Sequence, residues 1–263
     1  DYSYYNRKIM KSLLFLLFFV FSSLLLHAQE VDIWDKVDTV HLEMTHYEKD
    51  SSAEAVILFD IGEISVSYLF KTYTYRHHRR LKLLKKSSLE RGSIRIPYYA
   101  DGGYEHLTAI EAQAVLPDGK RIELTEDDFF RERNEDGQSY LSFATPNLSI
   151  GTIIEYKYEI LSKNILELRE WYFQYDIPVL YSKLSLDMPE VLSYIYLLQG
   201  SENFIPLEEE NIYQFQEDGK VKIIPGQYEM WNVPALKEET FTTSYDDYRA
   251  KIRFQLEAIY API

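Results

Sequence analysis

The sequence predicts an all-β protein, an antiparallel β-sandwich with room for one short helix. Three observations carry that reading. Tyrosine occurs 23 times and phenylalanine 14 times in 263 residues, a composition that suits strands better than helices. Apolar and polar residues alternate strictly in several stretches; Ile154, Tyr156, Tyr158 and Ile160 against Glu155, Lys157 and Glu159 is the cleanest. Hairpin turns recur, at Leu116-Pro117-Asp118-Gly119-Lys120 and at Glu217-Asp218-Gly219-Lys220.

The N-terminus reads as an export signal. Arg7, Lys8 and Lys11 precede an apolar run from Leu13 to Leu26 that closes on His27-Ala28-Gln29. A basic head, a short apolar middle and a small residue at the end describe a secretory signal. The run is shorter than the ~20 residues that span a bilayer, which disfavours a permanent anchor. The expected organisation is a signal peptide over residues 1–28, with 1–9 upstream of a start at Met10. A β-sandwich domain over 29–263, cut before a further domain, follows. The mature protein is then periplasmic or at the cell surface. There is no cysteine, so disulfides, a lipidated cysteine and a cysteine nucleophile are all excluded. A net charge of −14 disfavours nucleic acid and anionic membrane surfaces as partners.

Taken in order, Glu30 to Asp50 carries Trp34 and mixed polarity and specifies no element. Ala53 to Asp60 is apolar on both faces, as in a central strand. Ile61-Gly62 reads as a turn, and Ile64, Val66, Tyr68 and Phe70 as the face of a hairpin partner. Tyr73 to Lys86 continues in extended, strongly basic form, and Ser93 to Pro97 is another short strand. Thr108, Ile110, Ala112, Ala114 and Leu116 form one face of the next, with Ile122 and Leu124 returning after the turn. Thr125-Glu126-Asp127-Asp128 has the pattern of a capped short helix or a loop. Thr152 to Ile160, Trp171 to Ile177 and Leu184 to Met188 then read as an antiparallel meander. Val191 to Gln199 fits a strand or a helix. Tyr213 to Ile223 is a second hairpin, and Ala250 to Ala258 alternates as a strand.

The candidate chemistry is sparse. Arg76-His77-His78-Arg79-Arg80, with Lys82, Lys85 and Lys86, could bind phosphate or a polyanionic glycan; the plainer reading is a solvated strand whose cations guard an edge or pair with the acidic excess. His77 and His78 point to opposite faces of a strand and cannot share a metal. His41, His46 and His106 show no ligand spacing, so zinc is not expected. Asp127-Asp128, Glu208-Glu209-Glu210 and Glu238-Glu239 are carboxylate runs in polar sequence, where a glycosidase would need one acid kept protonated by burial. No serine or threonine sits on a nucleophile elbow. Trp171, Phe173 and Tyr175 share a face with Ile177 as core residues do, which leaves Tyr172 as the better ring for stacking on a sugar. No catalytic, cofactor or metal residue is assigned, and the chain reads as a non-enzyme.

Four stretches carry a family resemblance: Ala53-Glu54-Ala55-Val56-Ile57-Leu58-Phe59-Asp60; Ala144-Thr145-Pro146-Asn147 with Gly151-Thr152-Ile153-Ile154-Glu155-Tyr156; Trp171-Tyr172-Phe173-Gln174 before Ile177-Pro178-Val179; and Trp231 to Glu239. In this order the chain resembles a bacterial exported domain of unknown function that precedes transglutaminase-like domains. The resemblance covers about residues 34 to 258. It implies an immunoglobulin-like β-sandwich followed, in full-length members, by a papain-like transglutaminase domain whose Cys-His-Asp triad would lie beyond Ile263. The expected function is a non-catalytic exported module that supports or positions that downstream domain. An independent glycan- or peptide-binding sandwich is the alternative, and an acidic-residue glycosidase a third.

Overall fold

The structure is a computed structural model that describes Trp34 and residues 36–135, 137–200, 205–207, 212–216, 219–237 and 248–260. The chain divides into two units, Asp1–Asp38 and Thr39–Ile263. In the first, Trp34 lies in a 3-10 turn and residues 36–38 in loop; the expected signal segment falls outside the described residues. The second carries the fold, which is all-β.

One five-residue helix, α1 (Thr39–Glu43), precedes the first strand. That strand, β1 (Ala55–Ser67), does not stop at Gly62 but runs on for 13 residues. A glycine there reads locally as a turn, yet its missing side chain makes room for an aromatic ring. The hairpin instead closes at Tyr68 to Lys71 and returns as β2 (Thr72–Leu83). Then follow β3 (Ser93–Tyr98), β4 (Glu105–Val115) and β5 (Arg121–Glu123), with the expected turn between the last two held by Gly119 at φ 84°. Thr125 caps a single 3-10 turn at Glu126–Asp128 through a reciprocal bond with Asp128. The next two strands, β6 (Phe130–Arg133) and β7 (Ser139–Ala144), form a hairpin. Completing the set are β8 (Ile153–Ser162), β9 (Trp171–Tyr172), β10 (Val179–Pro189), β11 (Leu192–Gln199), β12 (Ile205–Leu207), β13 (Ile212–Gln216), β14 (Gly219–Val233) and β15 (Lys251–Ile259).

The strands form one large sheet in the order β12-β14-β10-β1-β2-β8-β4-β5, with β13 also on β14, and two three-stranded sheets, β11-β15-β9 and β3-β7-β6. All pairs are antiparallel except β1 with β10, where Ile57 faces Val179 and Ser65 faces Asp187 in parallel register. The stretches expected to form a meander therefore do not pair with one another. After β8 the chain leaves the sheet through residues 163–178, contributes β9 elsewhere, and re-enters on the far side of β1. Such a crossover is what parallel pairing requires.

Both small sheets cover the same face of the large one. Trp171 of β9 donates its indole N–H to Ser182 Oγ on β10 (3.2 Å) and stands edge-on to His77 at 5.3 Å. Phe143 of β7 stands edge-on to Tyr156 of β8 at 5.9 Å. Between these layers lies the core, which includes Ile64, Tyr75, Leu81, Ile154, Ile160, Phe173 and Leu184. The alternation read from the sequence is what places these side chains inward; nonpolar burial of this extent is the main stabilising contribution.

Candidate functional site

The centre of the large sheet holds a polar cluster inside the aromatic core. Alternation on β1 and β2 turns Asp60, His77 and Arg79 toward the covered face, where Tyr158 of β8 and Tyr175, beyond β9, meet them. Asp60 is 0% exposed and accepts four hydrogen bonds. His77 Nε2 reaches Oδ1 at 2.5 Å and Arg79 Nε reaches it at 2.9 Å; Arg79 Nη2 and the Tyr175 hydroxyl reach Oδ2 at 2.7 and 2.8 Å. Burial alone would push this carboxyl up, but Arg79, with His77, holds it well below the usual carboxylate range. Burial also keeps His77 below its ordinary value in spite of Asp60. A neutral imidazole donating from Nε2 to an ionised carboxylate must accept at Nδ1, so the Tyr158 hydroxyl donates there at 2.9 Å. Burial raises the hydroxyls of Tyr158 and Tyr175. The Arg79 guanidinium lies over the Tyr175 ring at 4.3 Å. An acid–imidazole–hydroxyl relay thus exists, but Trp171, His77 and Asp60 are all buried and every lone pair of Asp60 is used. It is a fully satisfied internal network, not an open reaction centre.

The other face of the sheet takes the rest of the basic run. Arg76 bridges Glu63 and Glu159, each at 2.7 Å. His78 and Arg80 both reach Glu155 Oε1 at 2.7 Å, and Gln113 donates to Glu155 Oε2 at 2.9 Å. His77 and His78 do face opposite sides. The run is not an edge, however: β2 lies between β1 and β8, and each side chain from Arg76 to Arg80 already meets a carboxylate. A polyanion site is therefore not formed there. Lys82 is buried with its ammonium on the carbonyls of Leu42 (2.9 Å) and Gly151 (2.6 Å), and burial lowers it to about 8.

Of the other residues weighed in the sequence, Trp171, Phe173 and Ile177 are core, as expected. Tyr172 is not open for stacking: Arg249 covers its ring at 4.0 Å and Glu170 takes its hydroxyl at 2.8 Å. Asp127 and Asp128 lie in the exposed 3-10 turn, where Asp128 serves Thr125. Glu208 to Glu210 and Glu238-Glu239 fall outside the described residues. Among the described residues no group of three or more histidines and carboxylates is placed to hold a metal.

Two aromatic features mark the surface, and sequence reasoning missed the first of them. A cleft of about 580 Å3 opens between the loop joining β3 to β4 and residues 164–170. Its rim carries Tyr99 and Tyr104, 55% and 59% exposed, and its floor Tyr73 and Leu168. The second is Trp231, which is 61% exposed on β14 beside a depression of about 250 Å3 with Gln174, Pro234 and Ala250. Tyr181 of β10 lies against the indole with ring centres 4.2 Å apart. Trp231 thus stands on a strand and faces solvent. The doubled aromatics Tyr98-Tyr99, set before Asp101-Gly102-Gly103-Tyr104, were the available signal for the cleft.

A layered all-β domain, with a sealed polar cluster and open aromatic surfaces, is the class these features define. Residues 71–219 match the model of the family described as DUF3857, a domain of unknown function with a solved structure, and the chain belongs to that family. The same fold occurs in a crystal structure at 2.00 Å of a Parabacteroides distasonis protein named a "putative protease", at a TM-score of 0.62 and 17% identity. That match covers 78% of this chain and 40% of the other, so the chain spans less than half that protein's length. Native yeast LTA4 hydrolase aligns at a TM-score of 0.35 and 11% identity, over 72% of this chain and 30% of that one. No curated protein matches the sequence. Among the described residues no helix is long and apolar enough to cross a membrane.

Proposed function

We propose that this chain is a non-catalytic, exported β-sandwich module that supports and positions a protease- or transglutaminase-like domain of the same protein. The observation that carries the reading is the exposed Trp231. A large indole backed by Tyr181 and left open to solvent is the kind of anchor that docks into a partner's pocket. The chain beside it is held in place: Gln174 Nε2 donates to Pro234 O at 3.1 Å, and Leu236 N to Tyr175 O at 2.8 Å. A surface fixed in this way sets the position of a neighbouring domain instead of letting it swing.

Support also comes from the longer relative named a "putative protease", of which this fold takes up only part. The sealed state of the Asp60 cluster favours a structural role for it. The basic, then apolar N-terminus supports export.

The test is hydrogen exchange on this chain and on the natural chain continued through the following domain. Amides of residues 231–237 should exchange more slowly in the longer protein, and Trp231→Ala should abolish that protection. Equal exchange in both would end the docking reading.

A further inference from the structure

We propose that the cleft between Tyr99, Tyr104 and Arg169 binds a neutral oligosaccharide, an activity that stands apart from any docking at Trp231. The loop joining β3 to β4 is built to present it. Gly102 and Gly103, at φ 61° and 66°, fold the chain back so that Glu105 N bonds to Tyr99 O at 2.8 Å. The two strand ends are thereby clamped together, and Tyr99 and Tyr104 project from the loop with more than half of each exposed. Exposed tyrosine rings, with two rotatable bonds each, offer flat apolar faces at low entropic cost.

Below them the polar groups are only partly used. Glu105 is 6% exposed, and its Oε2 accepts from Tyr99 N and from Arg169 Nη2, each at 2.7 Å. Its Oε1 takes no hydrogen bond from a described residue, and Arg169 Nε is buried without a partner among the described residues. Arg169 spends Nη2 on Glu105 and on Pro97 O (3.0 Å), and no described residue accepts from its Nη1. The side-chain amides of Gln138 and Asn164 line the same cleft without a described partner. Planar donors and acceptors in alternation, next to aromatic faces, are what vicinal hydroxyls on an apolar ring face require.

Charge narrows the class. Asp101 is paired with Arg133, and Glu105 with Arg169; Glu170 meets Arg253 at 2.7 Å and Lys251 at 3.5 Å. Glu167 alone among the lining acids has no cation partner among the described residues. With its ions paired internally and one acid in surplus, the cleft repels uronates and phosphates and has little to offer a polycation. Its volume of about 580 Å3 suits a short saccharide.

The experiment is affinity electrophoresis of the full chain through native gels containing xylan, laminarin, galactomannan or chito-oligosaccharide, with polygalacturonate and an oligolysine peptide as controls. At least one neutral glycan should retard the protein. Tyr99→Ala with Tyr104→Ala, and separately Glu105→Gln, should weaken that retardation at least tenfold. The tyrosine pair is exposed, so its melting temperature should stay at the parent value. Three outcomes would each overturn the proposal: no retardation by any neutral glycan, retardation unchanged in the tyrosine variants, or binding confined to polygalacturonate or oligolysine.

Discussion

The indole of Trp171 occupies the space that a side chain on Gly62 would need: a Cβ built there would lie 2.6 Å from Cε3 of the ring. The glycine sits in mid-strand, so the demand is steric and not conformational. Gly62→Ala should cost ~1–3 kcal/mol through overpacking, and Trp171→Ala ~3–5 kcal/mol through the cavity it leaves. The two changes should be strongly coupled, with Gly62→Ala costing far less once the ring is gone. Urea unfolding of the four proteins tests this; additive losses would mean that the ring does not rest on Gly62.

Acid should destabilise the fold in two steps. The folded state holds His77 below its ordinary value of about 6.5, so as pH falls past that point the unfolded chain binds the proton first and stability declines. Asp60 is held well below about 4, so its contribution is present above that pH and is lost further into acid. His77→Gln should flatten the decline between about pH 6.5 and 5 while lowering stability overall. Asp60→Asn should cost ~3–5 kcal/mol at neutral pH, because it strands the buried Arg79 charge. Denaturation series at several pH values give both answers, and a parent profile that is flat from pH 7 to 5 would contradict the first.

Alkali should act in the opposite direction through Lys82. Its folded value of about 8 lies below the unfolded value of about 10.4, so the unfolded chain binds the extra proton between them. Stability should therefore rise from pH 8 toward pH 10, before tyrosine ionisation in the unfolded chain reverses the trend. Lys82→Met should remove the rise. If the variant keeps it, the ammonium is not the source.

Export should be visible directly. In a secreting host the mature chain should begin at Gln29, as read by mass spectrometry of the intact protein. An unprocessed segment from Leu13 to Leu26 in the membrane fraction would show an anchor instead.

Much of the fold was legible because alternation is a local property. Ile154, Tyr156, Tyr158 and Ile160 declared their face without reference to any partner, and so did Trp171, Phe173 and Ile177. Pairing was not legible. Nothing near Val179 says that it lies beside Ile57 in parallel, and nothing near Gly62 distinguishes a turn from a seat for Trp171. The same division holds for the polar residues. Strand geometry sends His77 and His78 to opposite faces, but their acids, Asp60 and Glu155, come from other strands. The cleft was hidden for this reason too: Tyr99 and Glu105 flank one loop, whereas Gln138 and Arg169 arrive from far along the chain.

The parallel register of β1 with β10 also sets a schedule for synthesis. After β2 is made, β1 has one partner; its other edge waits until Val179 and the residues beyond it leave the ribosome. At ~5–20 residues per second, the interval from Ile57 to Val179 lasts roughly 6–25 s. Through that time the nascent chain carries an apolar strand with a row of open backbone donors and acceptors. The sheet is completed from its middle outward only after most of the polypeptide exists. A chain ordered in this way stays threadable late into its own translation, and early contact with a holding factor would keep that open edge from finding a neighbour of its own kind.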